Sequence, residues 1–126
     1  MLAQFKRLLR TESVKTEKDG IHWSMRYDSF RKELVAAVVD SPGETAPELR
    51  RTALQHRSIP GPPPLASYVD KVWRHAYKVT DADVAGLKQA GHSDDSLFEI
   101  TVAAAVGAAL YRLERGMAAL RGEEPD

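Results

Sequence analysis

Along most of the chain the apolar positions recur every three or four residues, the spacing of an α-helix, and no segment shows the strict alternation of a half-buried strand. Near the N-terminus Leu2, Phe5, Leu8 and Leu9 suit a short amphipathic helix, which the polar run "RTESVKTEKDG" ending at Gly20 interrupts. Residues 1–27 are therefore expected to form a partly helical N-terminal arm. Asp28 or Ser29 is placed to cap a helix whose face carries Phe30, Leu34, Ala37 and Val38, and Pro42 with Gly43 should end it in a turn. A second helix, short and polar, is expected in "APELRRTALQHR", where Pro47 suits the first turn and Glu48 complements the positive end of the helix dipole. The following "SIPGPPP" reads as a stiff, non-helical connector between helical layers.

From Leu65 the positions 65, 69, 72, 73 and 76 mark one buried helix face. Thr80 followed by Asp83 has the form of a capping box with Asp in the usual Glu position, and Gly91 is the expected left-handed terminator of that short helix. Ser93, with Asp94 and Asp95 behind it, opens the longest helix and sets two acids against its N-terminal dipole. In "LFEITVAAAVGAALYRLERGMAAL" one stripe runs through 103, 106, 110, 113, 117 and 120, and a second through 97, 100, 104 and 107. The first half of this helix is thus apolar nearly all round and should sit centrally. Its cluster "AAAVGAA" has side chains small enough for close helix approach, which predicts subunit association along or near it. The pattern as a whole predicts an all-α bundle of about five to six helices, with residues 28–126 as a single domain.

Composition narrows the functional classes. A chain of 126 residues, 43% apolar and 29% charged, fits one globular core. With 18 Lys plus Arg against 18 Asp plus Glu the formal charge is zero, so no global field gathers nucleic acid. No run of about 20 uninterrupted apolar residues is present, and "MLAQFKRLLR" is too charged for a secretory apolar region, so a cytoplasmic protein without a membrane partner is expected. The absence of cysteine excludes disulfides, thiolate nucleophiles and Cys-ligated zinc or iron–sulfur clusters. His22, His56 and His92 are scattered without the spacing of a metal site, and no phosphate loop, serine elbow or His-Glu-x-x-His motif occurs. Neither metal nor other cofactor is expected.

The segment from Leu65 to Leu120 resembles the alkylhydroperoxidase D and carboxymuconolactone decarboxylase superfamily. The resemblance rests on a helix, a short loop, a second helix ending in Ala90 and Gly91, the restart at Ser93, Asp94 and Asp95, and "FEITVAAAVGAAL" leading to "RLERGMAAL". It implies an AhpD-like helical bundle and a homo-oligomer. Redox members carry Cys-x-x-Cys, three further residues and a His on the helix that ends in the Ala-Gly pair. Counting back from Gly91 without gaps puts Ala76 and Val79 at the thiol positions and Asp83 at the His position. A peroxide-reducing dithiol needs one thiolate to attack and a second sulfur to resolve, so activity by that mechanism is expected to be absent.

Two readings remain. One is a non-redox protein of this kind acting as an oligomeric scaffold or as the binder of a small-molecule ligand. The alternative is a cofactor-free acid–base enzyme of the carboxymuconolactone decarboxylase type, a branch that does not need the thiols. Its candidate catalytic groups are His75 as proton carrier, Arg74 as a clamp for a substrate carboxylate, and Glu99, which extends the 103, 106, 110 stripe backward as a carboxylate on an apolar face. If buried, Glu99 needs a partner such as Arg74, Lys71 or His75. Each group also has a plainer use: His75 at a helix end, Asp83 as a cap, Glu99 as a first-turn acid, and Trp73 and Tyr77 as packing residues.

Overall fold

Proline and capping residues set the helix boundaries in the computed structural model, which describes residues 20–123, with side chains from Arg26 onward. The described residues contain no strand and five α-helices: α1 (Gly20–Val39), α2 (Pro47–Leu54), α3 (Pro63–His75), α4 (Asp81–Gln89) and α5 (Asp94–Leu120). A 3-10 turn, Ala76–Lys78, follows α3. The all-α expectation holds. The chain divides into two compact units, Met1–Pro42 and Gly43–Asp126.

In the first unit, α1 begins at Gly20 and runs unbroken past Asp28 and Ser29, so neither residue caps it. The amphipathic segment expected over Leu2 to Leu9 lies outside the described residues. Leu34, Ala37 and Val38 of the expected face are buried, whereas Phe30 is 38% exposed. Ser41 donates its hydroxyl to the Ala37 carbonyl, a local bond that closes the last turn ahead of Pro42.

In the second unit, α2 has no side-chain cap and starts instead with Pro47 in its first turn. The "SIPGPPP" connector is shorter than expected, because Pro63 and Pro64 form the first turn of α3. Leu65, Tyr68, Val69 and Val72 form the buried face of α3, and the Tyr68 hydroxyl pairs with Thr101 of α5 at 2.6 Å. The capping box of α4 is present in both directions: Asp83 N–H donates to the Thr80 hydroxyl and Thr80 N–H to the Asp83 carboxylate. Ser93 caps α5 by accepting from Ser96 N–H at 3.1 Å.

The long α5 is packed by α2 and α3. Its second stripe is the inner seam, with Leu97, Ile100, Ala104 and Gly107 all buried. The first stripe is buried only in part, since Leu113 is 45% and Leu120 89% exposed. By length and composition α5 could also cross a membrane, but Ile100, Ala103 and Ala104 have no exposed surface, as in a core helix.

Gly107 shows what the small residues of α5 do within one chain. A Cβ at this position would lie 1.9 Å from the carbonyl oxygen of Leu54, at the last residue of α2. The close approach is thus made by α2 of the same chain, without calling on a second subunit. Gly107→Ala gains about 1 kcal/mol of helix propensity but forces backbone against side chain, an overpacking that commonly costs about 1–3 kcal/mol. Urea unfolding is expected to show a net loss of stability for Gly107→Ala, and none for Gly116→Ala, whose Cβ meets open space.

Candidate functional site

The sequence-predicted residues His75, Arg74 and Glu99 do not converge. Glu99 is 6% exposed and faces the start of α2, where its partner is Arg50, itself 1% exposed, with Nη1 and Oε1 3.6 Å apart. Neither Arg74, Lys71 nor His75 is its counter-ion. Arg74 donates to Asp70 one helical turn back at 2.8 Å, Lys71 pairs with Asp83 at 2.9 Å, and the exposed His75 ring sits edge-on to Tyr77. The Glu99 carboxylate also accepts from Glu44 N–H at 2.9 Å, and from the N–H and hydroxyl of Thr45 at 3.4 Å. A carboxylate so committed is engaged inside the fold, where it holds the loop before α2 against α5.

Gly43 makes that arrangement possible. A Cβ there would stand 1.8 Å from Glu99 Oε1 and 3.1 Å from Arg50 Nη1. Its φ is not in the left-handed region, so the glycine is required for space rather than for turn conformation. Arg50 Nε and Nη1 have no hydrogen-bond partner among the described residues. The guanidinium is held by charge attraction alone at those atoms, which makes it strongly dependent on Glu99.

The positions counted back from Gly91 as the expected dithiol sites are also dispersed. Only Asp83 lies on the helix that ends at Ala90 and Gly91; Ala76 is in the 3-10 turn and Val79 in the connection after it. The reason is the length of α4, whose nine residues are too few to reach back to Val79. Asp83 caps α4, and its carboxyl is held below the usual range by the bond from Lys71 and then by Thr80 N–H. Among the described residues no group of three His, Cys, Asp or Glu is arranged to hold a metal ion.

A different histidine, His56, lines an open groove among the described residues. His56 follows the end of α2 with φ +54°, the one non-glycine residue of positive φ among those described. Its N–H bonds to the Ala53 carbonyl at 3.2 Å and Arg57 N–H to that of Thr52 at 3.0 Å, the paired bonds of a Schellman end. The same motif closes α4 and α5, and there the left-handed residues are Gly91 and Gly122. A side chain at this position costs about 1 kcal/mol or more, so His56 is held by what its ring touches.

The ring stacks on Trp73 with centroids 4.6 Å apart and planes within 9°. His56 Nε2 is 2.9 Å from Asp70 Oδ1, the oxygen that also accepts from Arg74 Nε. These bonds, His56 first, keep the Asp70 carboxyl below its ordinary range. Trp73 is fixed in turn by its indole N–H, which donates to the Ala53 carbonyl at 2.8 Å, and its own carbonyl accepts from Arg112 Nη2 at 2.7 Å. Tyr111 tilts against the indole at 6.0 Å.

Together these groups line an open groove of about 610 Å³, with Gln55 and His56 from the end of α2, Trp73 to His75 from the end of α3, and Tyr111 and Arg112 from α5. The structure therefore brings Arg74 and His75 to one groove and leaves Glu99 out of it. With His56 Nε2 engaged by Asp70, the ring's Nδ1 is its remaining polar atom, and no partner for it is seen among the described residues. Sequence reasoning passed over His56 because it looked for i, i+4 pairs. The available signal was the lack of a glycine after "TALQ", where a helix end otherwise calls for one.

No family model, curated protein or solved structure matches the chain.

Proposed function

We propose that the protein is a non-redox, small-ligand-binding helical protein whose site is the groove around the stacked His56 and Trp73. The observation that carries this reading is His56 itself: a side chain kept at a left-handed helix end, where glycine would be easier, and tied by stacking and by Asp70 to a groove wall. Kinship to the alkylhydroperoxidase D-like fold belongs to the same proposal, supported by the all-α architecture and by the two capped helix boundaries at Thr80 and Ser93. The acid–base alternative loses its proposed third group, since Glu99 is committed to Arg50 and the loop before α2.

His56→Gly separates fold from function. Glycine relieves a backbone cost of about 1 kcal/mol, while the lost stack and hydrogen bond together remove about 1–3 kcal/mol, so the net loss of stability should not exceed about 2 kcal/mol. In a fragment screen followed by backbone amide shifts, hits on the parent chain are expected to cluster at residues 55–57, 73–75 and 111–112, and to vanish in His56→Gly. Hits scattered elsewhere, or undiminished in the variant, would contradict the assignment.

A second reading, the oligomeric scaffold, has its own observation. The outer face of α5 carries Phe98, Ala105, Ala109, Leu113 and Leu120 at helical spacing, all exposed or partly so, with Phe98 at 53% and Leu120 at 89%. A contiguous apolar strip of this kind is a common mark of an association surface. Light scattering at micromolar concentration should then give a mass that is a multiple of 14.0 kDa, reduced to the protomer by Leu113→Glu. A 14.0 kDa particle for the unaltered chain would refute association.

A further inference from the structure

The lining of the groove carries two arginines, Arg74 and Arg112. Arg74 is anchored through Nε by Asp70 and Arg112 through Nη2 by the Trp73 carbonyl, and in each case the other guanidinium nitrogens remain available. The Tyr111 hydroxyl adds a donor and His75 an exposed imidazole, while His56 Nδ1 is an acceptor as long as Nε2–H donates to Asp70. The nearby carboxylate, Asp70, is occupied by His56 and Arg74 on one oxygen, and Gln55 Oε1 accepts from Arg57.

Two helix ends also point their carbonyls toward this region, and these would repel an anion if left bare. They are not bare. Arg51, Thr52 and Ala53 carbonyls accept from Gln55, Arg57 and His56 N–H, Ala53 takes a second bond from the Trp73 indole, and Arg112 covers Trp73. The indole N–H being spent and one face covered by His56, Trp73 offers a ligand the remainder of its apolar ring surface.

From this geometry, and resting on the groove being the binding site, we infer the ligand class: a small aromatic anion. Its carboxylate head is gripped by Arg74 and Arg112, and its planar body lies along Trp73 and Tyr111. Both guanidiniums are anchored before binding, so little side-chain entropy is lost when they engage the head, and their fork geometry matches a carboxylate. The volume of about 610 Å³ is within the range of small-molecule sites. Neither charge nor ring suffices alone, because the head needs the arginines and the body needs the indole.

The test uses three probes on the full chain: 2-naphthoate, its neutral amide 2-naphthamide, and inorganic phosphate, each titrated while amide and indole N–H shifts are followed. The Trp73 indole signal is assigned with Trp73→Phe. Naphthoate is expected to move the Trp73 indole and the amides of residues 55–57, 73–75 and 111–112, and to bind at least about tenfold more tightly than the amide or phosphate, as the loss of a charge-assisted contact implies. Arg74→Gln with Arg112→Gln should weaken naphthoate about tenfold or more and leave the naphthamide affinity unchanged. If naphthamide binds the groove as well as naphthoate, the anionic class is overturned while the groove stands. If phosphate binds as well as naphthoate, the aromatic body is overturned. If none of the probes moves these resonances, while the fragment hits described above still cluster there, the ligand class is wrong; if those hits are missing as well, the groove reading falls with it.

Discussion

Everything distinctive in the second unit depends on one buried ion pair, Arg50 with Glu99. Two charges taken out of water are tolerated only when each supplies what the other lacks, and here the pair spans α2 and α5. Glu99 reaches from the first turns of α5 to the loop before α2, where it gathers two backbone N–H groups and a hydroxyl. Gly43 lets the loop close over the carboxylate, and Gly107 lets the last residue of α2 settle on α5 two helical turns further along. The short helix α2 is thus pinned at both of its ends, by charge at the first and by backbone contact at the second.

Pinning α2 has a consequence for chemistry. Its C-terminal end is delivered to the end of α3, so that the Ala53 carbonyl meets the Trp73 indole N–H and His56, just past the helix end, lies flat on the same ring. A left-handed histidine is an expensive choice for a helix end, and it persists because the stack, Asp70 and the Schellman bonds all act on it together. The groove is therefore a product of how α2 is anchored, although Glu99 and Arg50 do not line it.

Much of the architecture was legible in the sequence because local rules dictated it. Thr80 with Asp83, Gly91 and Ser93 are short-range signals, and all three mark the helix boundaries they announced. Glu99 was legible as a carboxylate on an apolar stripe, and it is buried, but Arg50 lies on a helix that reads as polar and no periodicity connects the two. Gly43 read as a turn residue, whereas its function is to make room. The cap expected at Asp28 or Ser29 is not formed, because the helix runs unbroken from Gly20 to Val39. The site centred on His56 was the least legible, since it depends on three helices meeting, and such meetings leave no mark in spacing.

The claim that a buried charge pair anchors α2 is tested most directly by a double-mutant cycle on stability, using Arg50→Met and Glu99→Gln. The Glu99→Gln change keeps an acceptor for the loop N–H groups while removing the charge, so each single change mainly strands the opposite member. Each single variant should lose about 3–5 kcal/mol, and the double variant should lose less than their sum by about 2 kcal/mol or more. Losses that add to within about 0.5 kcal/mol would show that the two residues act independently and would contradict the account.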